Sequence, residues 1–131
     1  MLLLASVTGT MHPIPLVETR LHVEAIEVTE ALKRQHVSQA FCSALPVAYG
    51  VPSPDWEPFA RLILQGAYEA TLLAAVLNAR CGVSNVVFLT RLGGGAFGND
   101  PVWIQEAIRY ALDIVAPFDL DVRLVNYQKH R

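Results

Sequence analysis

Val86-Val87-Phe88-Leu89-Thr90-Arg91-Leu92-Gly93-Gly94-Gly95-Ala96-Phe97-Gly98-Asn99-Asp100-Pro101 is the stretch whose reading decides the fold. Val86 to Leu89 is a short apolar, largely β-branched run, which predicts a buried strand. Four glycines follow within six residues, and Asp100-Pro101 then opens an amphipathic stretch. Aspartate suits a helix N-cap and proline the first helical position. The segment therefore reads strand, glycine loop, helix. Backbone N–H groups in such a loop converge on an anion, and the helix N-terminus adds partial positive charge at the same point. Gly93, Gly94, Gly95, Ala96, Phe97, Gly98 and Asn99 are the candidate ligand-binding residues, for a phosphate or diphosphate. The competing reading is a glycine-rich turn that only closes a strand–helix connection.

Working outward, Ile104, Ala107, Ile108, Ala111, Leu112 and Val115 form a helical stripe over 101–115, and Pro117 ends it. Residues 120–127 close the chain as a strand. Strand, helix and strand in that order predict parallel pairing of 86–91 with 120–127. Upstream, a long helix is expected over 56–80, with Asp55 as a cap and Cys81-Gly82 as the stop. Its expected apolar face is Phe59, Ile63, Gly66, Ala67, Ala70, Ala74 and Leu77, widened by Leu62, Leu73 and Val76. Pro46 to Pro54 reads as a loop. Residues 21–28 and 36–45 read as strands of a hairpin turning around 31–35, with a helix from Glu24 to Arg34 as the competitor of the first. Residues 2–8 are expected to form an opening strand, and His12-Pro13-Ile14-Pro15 makes 11–16 extended or loop. The class is α/β: one domain over 1–131, with helices on a mixed sheet and a C-terminal parallel strand-helix-strand unit.

Composition bounds the function. The chain has 131 residues, 53% of them hydrophobic and 17% charged, with a net charge of −2. That balance describes a well-buried globular chain and makes no electrostatic case for nucleic acid; Lys33-Arg34 and Lys129-His130-Arg131 are too short to change it. Cys42 and Cys81 have no metal-ligand spacing and read as buried thiols in a reducing cytoplasm. Met1-Leu2-Leu3-Leu4-Ala5 lacks a basic flank and is too short an apolar run for a signal peptide. Arg61, Gln65, Glu69 and Asn78 argue against a membrane span in the long helix. No metal and no cofactor is expected. The apolar surplus predicts a homo-oligomer.

Residues 39–127 resemble the C-terminal half of a macrodomain, the ADP-ribose-binding α/β/α fold. Gly95-Ala96-Phe97-Gly98-Asn99-Asp100 is similar to the loop of microbial poly(ADP-ribose) glycohydrolase-like macrodomains. The resemblance implies a loop that wraps a diphosphate, with Phe97 against the terminal ribose and an ADP-ribose-like small molecule as partner. Any enzyme activity it implies is of the ADP-ribosyl hydrolase type. The N-terminal third does not match: the first asparagine is Asn78, so residues 1–77 hold none for the family's upstream ribose-binding loop. Gln105-Glu106 follows the three glycines at the wrong spacing for the glycohydrolase signature, with Ala107 in place of the second glutamate. No catalytic residue is assigned.

Other readings of the same residues fit less well. Gly93 to Gly98 satisfies G-x-G-x-x-G, but Asp119 and Asp121 begin the following strand instead of ending it, as a dinucleotide site requires. No Gly-Lys-Ser/Thr follows for a P-loop. A Cys42–His36 nucleophile pair would be about 20 Å apart along one strand. His12 reads as a loop residue, Glu69 as solvent-facing beside Arg61 and Gln65, and Trp56 and Trp103 as packing residues. An assembly module with a purely structural glycine loop is the alternative from another class.

Overall fold

A computed structural model of the chain describes residues 22–27, 36–51 and 53–125. In chain order these form strand β1 (His22–Glu27), strand β2 (His36–Phe41), a 3-10 turn (Val47–Tyr49), helix α1 (Trp56–Arg80), strand β3 (Val86–Leu89), helix α2 (Pro101–Val115) and strand β4 (Asp121–Leu124). The expectations for 2–8, 11–16 and 28–35, and for the basic ends, lie outside the described residues.

The strand-helix-strand unit forms as expected. β3 and β4 pair in parallel, with Val86 opposite Asp121 and Leu89 opposite Leu124. Backbone bonds from Asp121 N to Asn85 O (2.9 Å) and from Val125 N to Leu89 O (2.8 Å) extend the pairing at both ends. The last strand is shorter than 120–127; residues 126 and 127 are outside the described part. β1 and β2 pair antiparallel, His22 opposite Phe41 and Glu27 opposite His36, so the hairpin holds and the competing helix from Glu24 does not start there. β2 ends at Phe41, not near residue 45. Beyond it the Leu45 carbonyl accepts from Val47 N at 2.9 Å and from the Asn99 side chain at 2.8 Å instead of a strand neighbour. Among the described residues the strands make two separate two-stranded sheets, one antiparallel and one parallel, and not one mixed sheet. The class is α/β.

Local chemistry accounts for the helix limits. Asp100 sits in extended backbone and its Oδ1 accepts from Val102 N at 2.7 Å, with Pro101 first in α2. At the end of α1, Gly82 N donates to Ala79 O (3.0 Å) and Val83 N to Asn78 O (3.1 Å). Gly82 has φ +71°, the left-handed residue that this double closure requires. Asp55 differs from expectation: it makes no cap bond, and its carboxylate accepts from Ser53 Oγ at 3.0 Å.

The core joins α1, α2 and β3 with Ala40 of β2 and Ala44 just after it. Leu64, Leu72, Val87, Leu89, Leu92, Ile104, Ala107 and Ala111 are buried together. The buried side of α1 is Ala60, Leu64, Ala67, Tyr68, Thr71, Leu72, Ala75 and Asn78, with Ala74 and Val76 at its margins. This corrects the expected stripe by roughly a quarter of a turn or more: Phe59, Leu62, Gly66, Leu73 and Leu77 are exposed. α1 carries apolar residues on two faces, and the core takes the face that also offers Tyr68 and Thr71. On α2, Ile104, Ala107, Ala111 and Val115 are buried as expected and Ile108 packs against them, whereas Leu112 is exposed. Arg61 links the two helices, pairing with Glu57 (2.7 Å) and Glu106 and lying 5.7 Å from the centre of the Trp103 ring. By length and composition α1 is apolar enough to cross a bilayer. Its buried face belongs to the core just described, and no other described helix qualifies.

Candidate functional site

The glycine loop leaves the carboxyl end of β3 and returns into the N-terminus of α2, at the edge where parallel α/β sheets bind ligands. Three anchors hold it. The first is Tyr68 of α1, fully buried, whose hydroxyl donates to Thr90 O at 2.8 Å and accepts from Leu92 N at 2.9 Å. Burial pushes this phenol up to about 12, against the smaller opposing effects of the Leu92 N–H and the Arg91 charge. The second is Asn99, buried, whose backbone N donates to Gly93 O (3.0 Å) and whose Nδ2 donates to Leu45 O (2.8 Å). The third is the 3-10 turn, where Ala48 N donates to Phe97 O at 3.0 Å.

These anchors explain two of the glycines and not the others. Gly93 has φ +76°, and a Cβ there would lie 2.5 Å from Ala44 Cβ and 2.6 Å from Asn99 Nδ2. Gly98 has φ +70°, and a Cβ would lie 2.7 Å from Ala48 Cβ. Both are required by backbone conformation and close approach. At Gly94 a Cβ would press on Ile104 Cδ1 at 3.2 Å, whereas at Gly95 it would meet nothing within 4 Å. Gly95 is thus not needed for packing among the described residues.

The loop's own hydrogen bonds decide which N–H groups remain for a ligand. Gly94 N donates to Arg91 O, Gly98 N to Gly95 O and Asn99 N to Gly93 O. Among the described residues, the consecutive N–H groups of Gly95, Ala96 and Phe97 have no acceptor. Phe97 is half-buried and meets Tyr49 edge to face, with ring centres 6.1 Å apart. Tyr49 itself is 72% exposed and stands beside the loop. Of the seven candidate residues, Gly95, Ala96 and Phe97 therefore carry the open donors. Gly93, Gly98 and Asn99 hold the loop in shape, and Gly94 contributes an exposed surface with its N–H engaged.

Sequence reasoning missed the 44–49 segment and Tyr68. Ala44 and Ala48 are small because Gly93 and Gly98 press against them, a pairing visible in sequence only as two small residues four apart. Tyr68 carried no signal beyond being a polar group in an apolar helix.

The other candidates fall apart. The Cys42 thiol lies 3.9 Å from Thr71 Oγ1 and 4.0 Å from Ala67 O, and burial raises its pKa, the opposite of an activated nucleophile. Cys81 is exposed at the end of α1 and not buried as expected. Trp56 is also exposed, its Nε1 donating to Val51 O at 3.2 Å, while Trp103 packs on the core. Among the described residues no group of three His, Cys, Asp or Glu side chains is placed to hold a metal. A cleft of about 440 Å³ lies at the opposite edge of the parallel pair, lined by Arg80, Ser84, Asn85, Phe118 and Asp119 among others. It gathers no acid–base or nucleophilic pair. Comparison of the chain with protein-family models, with curated proteins and with solved structures found no match.

Proposed function

We propose that this chain is a macrodomain-like domain of three α/β/α layers that binds ADP-ribose or a related nucleotide diphosphate through residues 93–100, with no catalysis assigned. The supporting observation is the run of open N–H groups at Gly95, Ala96 and Phe97. They lie in a loop that leaves a parallel strand and enters a capped helix. A diphosphate suits that geometry because its oxygens accept from several backbone donors at once, with the helix N-terminus adding to the attraction. The exposed Tyr49 ring and the adjoining Phe97 offer an apolar wall for the sugar or base. Two free thiols, Cys42 and Cys81, fit a reducing cytoplasm.

Calorimetry with ADP-ribose, ADP and NAD tests this reading. ADP-ribose is expected to bind the folded wild-type chain. Gly95→Val should weaken binding without lowering the melting temperature, since its side chain enters open space above the donors. If none of the three ligands binds at millimolar concentration, the glycine loop is only a turn.

A further inference from the structure

The bonds that β4 makes to β3 show which of its backbone groups point away. Asp121 N donates to Asn85 O and Val125 N to Leu89 O. Every second residue of a strand presents its N–H and C=O to the same side, so Asp121, Arg123 and Val125 face β3. Val122 and Leu124 present theirs to the opposite edge, where no third strand joins the sheet among the described residues. Their N–H groups have no acceptor there. On β3 the outward Val86 N is already taken, donating to Ser84 Oγ at 3.1 Å. β4 holds no proline, glycine or lysine and its register is unbroken, so none of the usual devices guards its edge.

The sequence of this edge is complementary to itself. Leu120-Asp121-Val122-Arg123-Leu124 reads apolar, acid, apolar, base, apolar. Laid antiparallel on a second copy with a two-fold axis at Val122, it sets Asp121 opposite the partner's Arg123. Leu124 then meets the partner's Leu120. The backbone agrees with this register. Val122 falls in a hydrogen-bonded pair, whose two residues exchange N–H···O bonds. Leu120 N is occupied by Phe118 O at 3.0 Å, but the register needs only the Leu120 carbonyl, as acceptor for the partner's Leu124 N. Asp121 and Arg123 fall in non-hydrogen-bonded pairs, where opposed Cα atoms lie about 4.5 Å apart and side chains come closest. Moving the axis by one residue either way opposes like charges, Arg123 to Arg123 or Asp121 to Asp121.

The two faces of the strand agree as well. Leu120 and Val122 pack against the core, whereas Leu124 on the same side is 43% exposed; the partner's Leu120 would cover it. Asp121 and Arg123 project from the other side, bonded to each other with Arg123 Nε 3.0 Å from Asp121 Oδ2. Both charges are therefore already held beside the edge at which the second copy would meet them. We propose that β4 joins the β4 of a second copy across a two-fold axis at Val122, so that the two parallel pairs become one continuous sheet. A contact through one short strand belongs to the small, reversible class of interfaces, so the dimer forms as concentration rises.

Sedimentation equilibrium of the full chain from micromolar to millimolar concentration tests this proposal, with circular dichroism checking that each variant is folded. The wild type should pass from 14.4 kDa toward twice that mass. Asp121→Arg alone opposes base to base and Arg123→Asp alone opposes acid to acid, and each should weaken self-association by about tenfold. Mixing the two single variants should restore association, because unlike charges then face each other at both positions. The double exchange Asp121→Arg/Arg123→Asp should restore it within one chain. A wild type that stays at 14.4 kDa at millimolar concentration overturns the proposal. So does self-association that the single substitutions leave unchanged, or that mixing fails to recover, since the contact then lies on another surface or in another register.

Discussion

The phenol oxygen of Tyr68 accepts from the backbone N–H of Leu92 at 2.9 Å, at the last residue before the glycines begin. It fixes where β3 gives way to the loop, because the same hydroxyl donates to Thr90 O. Tyr68→Phe should cost about 1–2 kcal/mol at neutral pH through these two bonds. The wild type should also lose stability as pH rises. An unfolded tyrosine loses its proton near pH 10, whereas folded Tyr68 keeps it to about 12. Between these values the unfolded chain binds fewer protons, so stability falls with a slope approaching ~1.4 kcal/mol per pH unit and then levels off. Denaturant titrations from pH 9 upward should show this component in the wild type and not in Tyr68→Phe.

Gly98 and Gly95 should respond oppositely to alanine. Gly98→Ala forces a side chain onto a φ of +70° and onto Ala48, which should cost about 1–3 kcal/mol or more. Gly95→Ala should leave the thermal midpoint nearly unchanged. A large loss from Gly95→Ala would mean that the loop is packed differently.

Asn99 should be the most sensitive polar residue of the loop. Asn99→Ala removes the Nδ2 bonds to Gly93 O (3.4 Å) and to Leu45 O (2.8 Å), the latter carbonyl keeping its bond from Val47 N, at a cost of about 1–2 kcal/mol. Asn99→Asp puts a carboxylate oxygen in place of the donor to Leu45 O, so its stability should fall as pH rises through the carboxylate range. Chemical denaturation of both variants at pH 4 and pH 7 measures the difference.

The two helix-leading aspartates should also separate. Asp100→Ala removes a cap bond of 2.7 Å and should cost about 1 kcal/mol. Asp55→Ala removes no such bond and should fall within ±0.5 kcal/mol. Equal losses in thermal melts would contradict the cap geometry.

Both long helices and the strand between them were legible because several local signals agreed. Asp100-Pro101 marks one start, Cys81-Gly82 one stop, and the alternation of elements implies the parallel pair. The orientation of α1 was not legible. Leucines and alanines surround it on two sides, and the choice between them rests on Tyr68 finding Thr90 and Leu92 more than twenty residues away. The roles of the glycines were equally hidden. Gly93 and Gly95 look alike in a run of three, and only Ala44 and Asn99 make one indispensable and leave the other free.

The bond from Asn99 Nδ2 to Leu45 O spans 54 positions of chain, which bears on the order of folding. Helices α1 and α2 nucleate from neighbouring residues, but the glycine loop acquires its shape only once the strand-end segment has been brought across that distance. Closing so long a stretch is an entropic cost borne before the contact is made. The loop is therefore expected to take shape late in folding, its donors coming into register as the rest of the chain finishes.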